Sequence, residues 1–417
     1  MIALAGAAVV LPDRVLDRGT VVIDGDRIVE VTSALRPASR ETEASRSLHG
    51  HFLVPGFIDV HVHGVLGVDS LDGDEAIAAM ARALPRFGVT AFAPTSIACE
   101  PARLGRLLQA VGRARANRDP AGARVLPAHL ESNFISPAWA GAQPVACLRR
   151  PPSGTAGREV TTPGHEDTKA RRREATGDAF TAEDILAEIE RARPDVGIVT
   201  LAPELEGALD LIGWLVERGY RVSMGHSGAT CEQAADAIRA GARHATHLFN
   251  RMRPMTHRDP GLTGAVLATD EVAAEIICDG HHVHPTAVRV AVAAKSPSRV
   301  MAITDGTAGA GLSRGVRATL GGQPITVGDT ARLDDGTMAG SVLTMDRAFA
   351  FLTGPVGLGP VAAAHLCATT PARELDLRGH GAIAPGAVAD LVVLDPHLHV
   401  VETWVGGMRV FERGGDC

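Results

Sequence analysis

The chemistry-bearing residues of this chain fall at the ends of short apolar runs. FIDVHVH (57–63) closes on His61 and His63, RVLPAHLE (124–131) on His129 and Glu131, and RVSMGH (221–226) on His226. HATHLF (244–249) carries His247, VAAEIICDG (272–280) ends at Asp279, and RVMAITD (299–305) ends on Asp305. Side chains alternate along a strand, so His61 and His63 share a face. Imidazoles and carboxylates gathered from several strand tips are the right ligands for zinc or ferrous iron. Burying them together without a cation would be costly. A lone strand-end histidine is ordinarily a hydrogen-bonded loop residue, and HxH alone is a weak pattern; the joint arrangement carries the expectation of a metal. A bound divalent metal lowers the pKa of water and polarises a carbonyl. A carboxylate beside it can take the water's proton and deliver it to a leaving amine. Asp305 is assigned that role, which is compatible with its also ligating metal. The expected class is metal-dependent hydrolysis.

These residues need a frame that brings strand tips to one rim. Two further runs, VTAFAPT (89–95) and VGIVTLAPE (196–204), make eight in all. Amphipathic stretches such as DEAIAAMARAL (74–84) and AEDILAEIERA (182–192) separate most of them. Near-continuous apolar strands alternating with helices predict a parallel sheet buried on both faces. Eight units predict an α/β fold, a closed (β/α)8 TIM-type barrel over residues 52–375, with its active site at the strands' C-terminal ends. An open, doubly wound sheet is the structural alternative. VVIDGDRIVEV (21–31) reads as a hairpin around Asp-Gly, and the far end is again β-rich. Residues 1–51 and 376–417 are therefore expected to form one small β-sandwich. Residues 148–180, rich in Pro, Gly and mixed charge, read as a solvated insertion, or as a lid over the barrel mouth.

Composition excludes several classes. With 417 residues, 45% hydrophobic and 21% charged, the chain is globular rather than disordered. A net charge of −7 argues against a nucleic-acid binder, which would carry a basic stripe. No apolar run approaches the roughly 18 residues that would cross a bilayer. The N-terminus lacks a basic start and meets Pro12 and Asp13 too early for a signal peptide. Six scattered cysteines without a CxxC pair fit a reducing cytoplasm.

PGFIDVHVHG (55–64), HLE (129–131), TLAPE (200–204), GHSGAT (225–230), ATHLFN (245–250), HRDPG (257–261), DGHHV (279–283), TDG (304–306) and MAGS (338–341) occur in this order. Together they resemble the N-acetylglucosamine-6-phosphate deacetylase family of the amidohydrolase superfamily, over all of the chain except 148–180. The resemblance implies a (β/α)8 barrel with a β-sandwich from both termini, removal of acetyl from the 2-amino group of a sugar 6-phosphate, and a homodimer. It implies core metal ligands Glu131, His226 and His247, with Asp305 as acid/base. His61 and His63 match members able to hold a second metal, so one or two ions, zinc or iron, are expected per subunit. Asn250 and Arg258 match phosphate-binding positions, Arg258 reaching across from the neighbouring subunit, and His282 matches a substrate-binding histidine. Many binuclear amidohydrolases use a carboxylated lysine, but the only lysines are Lys169 and Lys295, neither at a strand tip, which leaves Glu131 as the bridging group.

The departures surround the substrate. HLESNF (129–134) replaces HLEGPF, Gln143 stands where the family has histidine, and Arg251 replaces alanine. Ser132, Asn133, Gln143 and Arg251 are therefore expected to touch substrate. The chemistry reads as retained, with N-acetylglucosamine 6-phosphate the simplest substrate. The alternatives are another N-acyl substrate, either a different amino sugar or an anionic conjugate, and a non-catalytic metal- or sugar-binding protein.

Overall fold

The computed structural model describes residues 1–33, 44–73, 75–152 and 179–414. Its centre is a barrel of parallel strands: β1 (Phe57–Val62), β2 (Val89–Ser96), β3 (Ala128–Glu131), β4 (Val196–Leu201), β5 (Arg221–Met224), β6 (His244–Ala245), β7 (Ala273–Ile277) and β8 (Val300–Ile303). Each pairs in parallel with the next. The ring closes where the Asp305 N–H donates to the His61 carbonyl (2.9 Å) and the His63 N–H to the Gly306 carbonyl (2.8 Å). This is the closed barrel rather than the open sheet. The third run is not continuous: Arg124–Val125 pairs with β2 separately, and β3 starts after Pro127, which has no N–H to give a ladder.

The helices α1 (Ala76–Ala83), α2 (Pro101–Ala116), α3 (Ala182–Arg191), α4 (Ala208–Glu217), α5 (Cys231–Ala240), α6 (Gly261–Ala268), α7 (Pro285–Lys295) and α8 (Met345–Thr353) come between and after these strands. Their ends are written locally. Thr181 with Asp184, and Thr230 with Gln233, form reciprocal capping boxes at the starts of α3 and α5. Gly241, at φ 114°, ends α5 in a conformation that a side chain would strain. Ile185, Leu186 and Ile189 bury the inward stripe of α3.

Both termini build an eight-stranded sheet beside the barrel, in the order Met408–Glu412, Val400–Val405, Leu391–Leu394, Phe52–Pro55, Ile2–Val10, Val15–Asp24, Arg27–Thr32, with Ala44–Ser47 also pairing to Ile2–Val10. The sheet takes in four residues beyond the expected boundary at 51. Alternation explains this: Leu53 faces the sheet's own core with Leu4, Ile23 and Leu391, whereas Val54 turns to the barrel core with Phe57 and Val392. A three-stranded sheet (Arg317–Leu320, Gln323–Val327, Ala331–Leu333), which the periodicity did not reveal, follows β8. Residues 153–178 of the insertion, and with them Lys169 and the lid expectation, lie outside the described residues. Among the described residues no helix is long and apolar enough to cross a membrane.

At the foot of the barrel Glu374 gathers Arg373 (2.6 Å), Arg299 (3.1 Å) and the buried His244 (3.4 Å). Burial opposes its charge, but His244 and Arg373 hold the carboxyl down at about 2, from an ordinary value of 4.5. A depressed carboxylate contributes stability above its unfolded pKa and loses it as pH falls toward the folded value. The melting temperature should therefore fall between about pH 4.5 and 2, and E374Q, already less stable at pH 7, should show a shallower fall. Calorimetry across this range checks it; parallel curves for the two proteins would remove Glu374 from the acid response.

Candidate active site

The upper ends of the strands bring six of the expected residues together. Glu131, ending β3, is the hub. Its Oε1 lies 2.6 Å from His226 Nε2 and 2.8 Å from His247 Nε2, and those two nitrogens are 3.0 Å apart. Its Oε2 faces His63 Nε2 at 3.5 Å. On the other side His61 and His63 Nε2 are 3.2 Å apart, and Asp305 Oδ1 lies 3.4 and 3.1 Å from them. Two trios thus meet at Glu131: Glu131, His226, His247 and His61, His63, Asp305. Three of these residues, His226 (φ 47°), His247 (φ 32°) and Asp305 (φ 49°), stand in the left-handed region just past their strands. Non-glycine residues are held there when the surroundings demand it, and such strain gathers at functional sites.

The donor chemistry fits a divalent cation. A tetrahedral zinc with bonds of about 2.0–2.1 Å spaces its ligand atoms about 3.3 Å apart, and the distances above bracket that value. His226 Nδ1 donates to the Trp139 carbonyl (2.8 Å), which leaves its Nε2 lone pair aimed at Glu131. Without a cation the charges must be balanced by protons. Burial pushes His63 down, but Asp305 and Glu131 together lift it to about 9. Burial also opposes the charge of Glu131, while His226 and His247 hold its carboxyl well below the ordinary value. A cation in either trio would take over that balancing.

The trios open on a cavity of about 300 Å³, lined on its other walls by Gln143, Asn250, Arg251 and His282. Asp279 accepts from His282 Nδ1 (2.6 Å) and from the N–H groups of His281 and His282 (2.8 Å each). It therefore orients His282 instead of joining the strand-tip ligands. Gln143 is tied at both ends: its Oε1 accepts from the Ala98 N–H (2.8 Å) and its Nε2 donates to Glu131 Oε2. Arg251 crosses over Gly141, so closely that a Cβ there would lie 2.6 Å from its Nε, and its guanidinium has no hydrogen bond or ion pair among the described residues. That leaves a guanidinium available to an anion.

Three expected residues are placed outside the cavity by the geometry. Ser132 does not line the cavity, because its Oγ donates to the Thr200 carbonyl (2.5 Å). Asn133 does not either; its Nδ2 bridges the carbonyls of Cys99 (2.8 Å) and Cys147 (2.7 Å). His129 shares the inward face of β3 with Glu131 but lies one layer lower, bonded to the Val60 carbonyl (3.0 Å) and Thr200 Oγ1 (2.9 Å). Arg258, which the resemblance assigns to the neighbouring subunit's site, is exposed and lies outside the cavity lining of its own chain. Lys295 bonds the carbonyls of Val266 and Thr269 and has no part in the site.

Several site residues escaped the sequence reading. Trp139, Phe249, Ile277, Leu320 and Met338 complete the cavity wall. Asp59, fully buried in β1, accepts from Thr304 Oγ1 (2.6 Å) and from the His61 N–H (3.3 Å), and so ties the first strand to the last just below Asp305. Burial raises its carboxyl to about 7 despite these bonds. A carboxylate inside an otherwise apolar strand was the available signal.

Residues 52–412 match the model of the amidohydrolase family. The chain is 34% identical over 411 residues to N-acetylglucosamine-6-phosphate deacetylase of Bacillus subtilis, covering 97% of this chain and 96% of that one. It is 33% identical over 358 residues to N-acetylgalactosamine-6-phosphate deacetylase of Escherichia coli O157:H7, covering 85% and 86%. Among solved structures, a mutant N-acetyl-D-glucosamine-6-phosphate deacetylase of Mycobacterium smegmatis in complex with N-acetyl-D-glucosamine-6-phosphate superposes with a TM-score of 0.84 at 30% identity, covering 98% of this chain and 99% of that one.

Proposed function

The chain belongs to the amidohydrolase family, and from that membership we propose that this hydrolase removes the acetyl group from the 2-amino nitrogen of a sugar 6-phosphate, N-acetylglucosamine 6-phosphate being the simplest case. The observation that carries the reading is the convergence of Glu131, His226 and His247, with Asp305 alongside, on a cavity that also presents His282, Asn250 and Arg251.

Glu131, His226 and His247 would hold one zinc or iron ion, and His61, His63 and Asp305 a second. When bound, such an ion supplies Lewis acidity to the amide carbonyl and makes water more acidic. Asp305 takes the proton of a water that attacks the acetyl carbon, then returns it to nitrogen as the C–N bond breaks, giving acetate and a free amine. His282, its Nδ1 held by Asp279, turns Nε2 toward the sugar hydroxyls. Asn250 and Arg251 meet the phosphate, which a planar guanidinium can hold by two charge-assisted bonds. Arg258 adds a further guanidinium from the second subunit of a homodimer. The described cysteines are all free, which supports a reducing, cytoplasmic setting.

Amine release from N-acetylglucosamine 6-phosphate by metal-loaded protein tests this, with the galactosamine epimer and the unphosphorylated sugar alongside. Turnover of a phosphorylated sugar, but not of free N-acetylglucosamine, is expected. No turnover of any of the three by protein shown to contain metal would mean that Gln143 and Arg251 have redirected the site to another N-acyl substrate. R251A should raise KM for the sugar phosphate about tenfold with kcat little changed, the cost of one partly solvated charge-assisted bond. An unchanged KM in steady-state assays would place Arg251 away from the phosphate.

A further inference from the structure

A buried carboxylate beside the two trios has no part in the chemistry described above. Glu275, on β7, is fully buried, and its Oε2 lies 3.1 Å from His61 Nδ1. Its Oε1 has no hydrogen-bond partner within bonding geometry among the described residues and stands 3.8 Å from His129 Nδ1. His61, His129 and Glu275 are close enough to suggest a third cation cradle below the other two. The hydrogen bonds speak against that. The Val60 carbonyl can only accept, so His129 Nδ1 must carry a proton to bond it at 3.0 Å, and its lone pair is not free for a metal.

We propose instead that Glu275 is the positioning residue of His61. Accepting the Nδ1–H fixes the tautomer and turns the ring, so that the Nε2 lone pair points to the space shared with His63 Nε2 (3.2 Å) and Asp305 Oδ1 (3.4 Å). Among the described residues nothing holds His63 in this way, since its Nδ1 is buried without a partner. The upper site of His61, His63 and Asp305 therefore depends on Glu275 for a preorganised ligand, whereas Glu131, His226 and His247 have the Trp139 carbonyl and Gln143 for the same purpose. The inference rests on the reading that His61, His63 and Asp305 take a second ion.

Metal content after dialysis against zinc, with affinities from chelator competition, tests it on wild type, Glu275→Met and Glu275→Gln. Wild type is expected to hold two ions. The methionine variant should keep the first and bind the second about ten- to a hundredfold more weakly. The glutamine variant, whose amide oxygen can still accept the Nδ1–H, should fall between them. A folded Glu275→Met with both affinities within twofold of wild type overturns the proposal. A wild type that holds one ion overturns the two-ion reading, and the proposal with it. Should the methionine variant not fold, nitrogen-15 spectra of metal-free wild type read the tautomer directly. The His61 signal, assigned by its loss in His61→Asn, is expected as Nδ1–H, and an Nε2–H form overturns the assignment.

Discussion

Replacing Asp305 by Asn should lower kcat about 10³- to 10⁴-fold while KM and the ion held by Glu131, His226 and His247 stay close to wild type. Asparagine keeps the size of the side chain and an oxygen that can accept a hydrogen bond, but it cannot take and return a proton. The backbone at this position does not depend on the carboxylate. The Asp305 N–H is held by the His61 carbonyl (2.9 Å) and its own carbonyl accepts from the Ser341 N–H (2.7 Å). Gly340 packs so near that a Cβ there would lie 2.8 Å from the Asp305 carbonyl oxygen. The substitution is therefore expected to remove a function rather than a fold. Metal analysis beside single-turnover kinetics separates the outcomes. A kcat within tenfold of wild type would take the proton-carrying role from Asp305, and loss of the ion at Glu131 would make the defect structural.

The legible part of this site is the part that alternation controls. An inward-facing side chain recurs every second residue, so His61 with His63, and His129 with Glu131, could be read as inward pairs without coordinates. Alternation does not say how far up the barrel each member sits. His129 and Glu275 occupy a layer below the rim, His129 bonded to Val60 and Thr200 and Glu275 to His61, and only the stagger of neighbouring strands decides that. Ser132 and Asn133 mislead for a related reason. They follow Glu131 directly, but past the strand the chain turns, and both side chains are consumed by backbone carbonyls of adjoining loops. Leu320 comes from a sheet inserted after β8 whose short strands carry little periodicity. The barrel itself was legible because its strands are buried on both faces and so read as continuous apolar runs. The hand-over at Phe52–Pro55 was not, since that strand is equally apolar and divides its residues between two cores.

Glu131→Gln should be the more severe substitution, costing turnover and the ion held with His226 and His247 although it changes only one heavy atom. The carboxylate serves two sides: Oε1 meets the Nε2 atoms of His226 and His247, and Oε2 accepts from Gln143. Gln143 has no freedom to reverse, because its Oε1 already accepts from the Ala98 N–H. The amide oxygen of a glutamine at 131 must then face Gln143, since a donor cannot face a donor. Its NH2 group turns toward His226 and His247 and caps the lone pairs that would hold the ion. Metal affinity should fall by about 100-fold or more, the upper part of the range for disturbed ligand shells. An ion that binds only the folded state raises stability by RT ln(1 + [L]/Kd), so wild type should melt progressively higher as zinc is added. For Glu131→Gln the melting temperature should rise much less over the same titration, only an ion at His61, His63 and Asp305 still contributing. Equal shifts for the two proteins would show that the ion sits elsewhere, and the assignment of Glu131 as the shared ligand would fall with it.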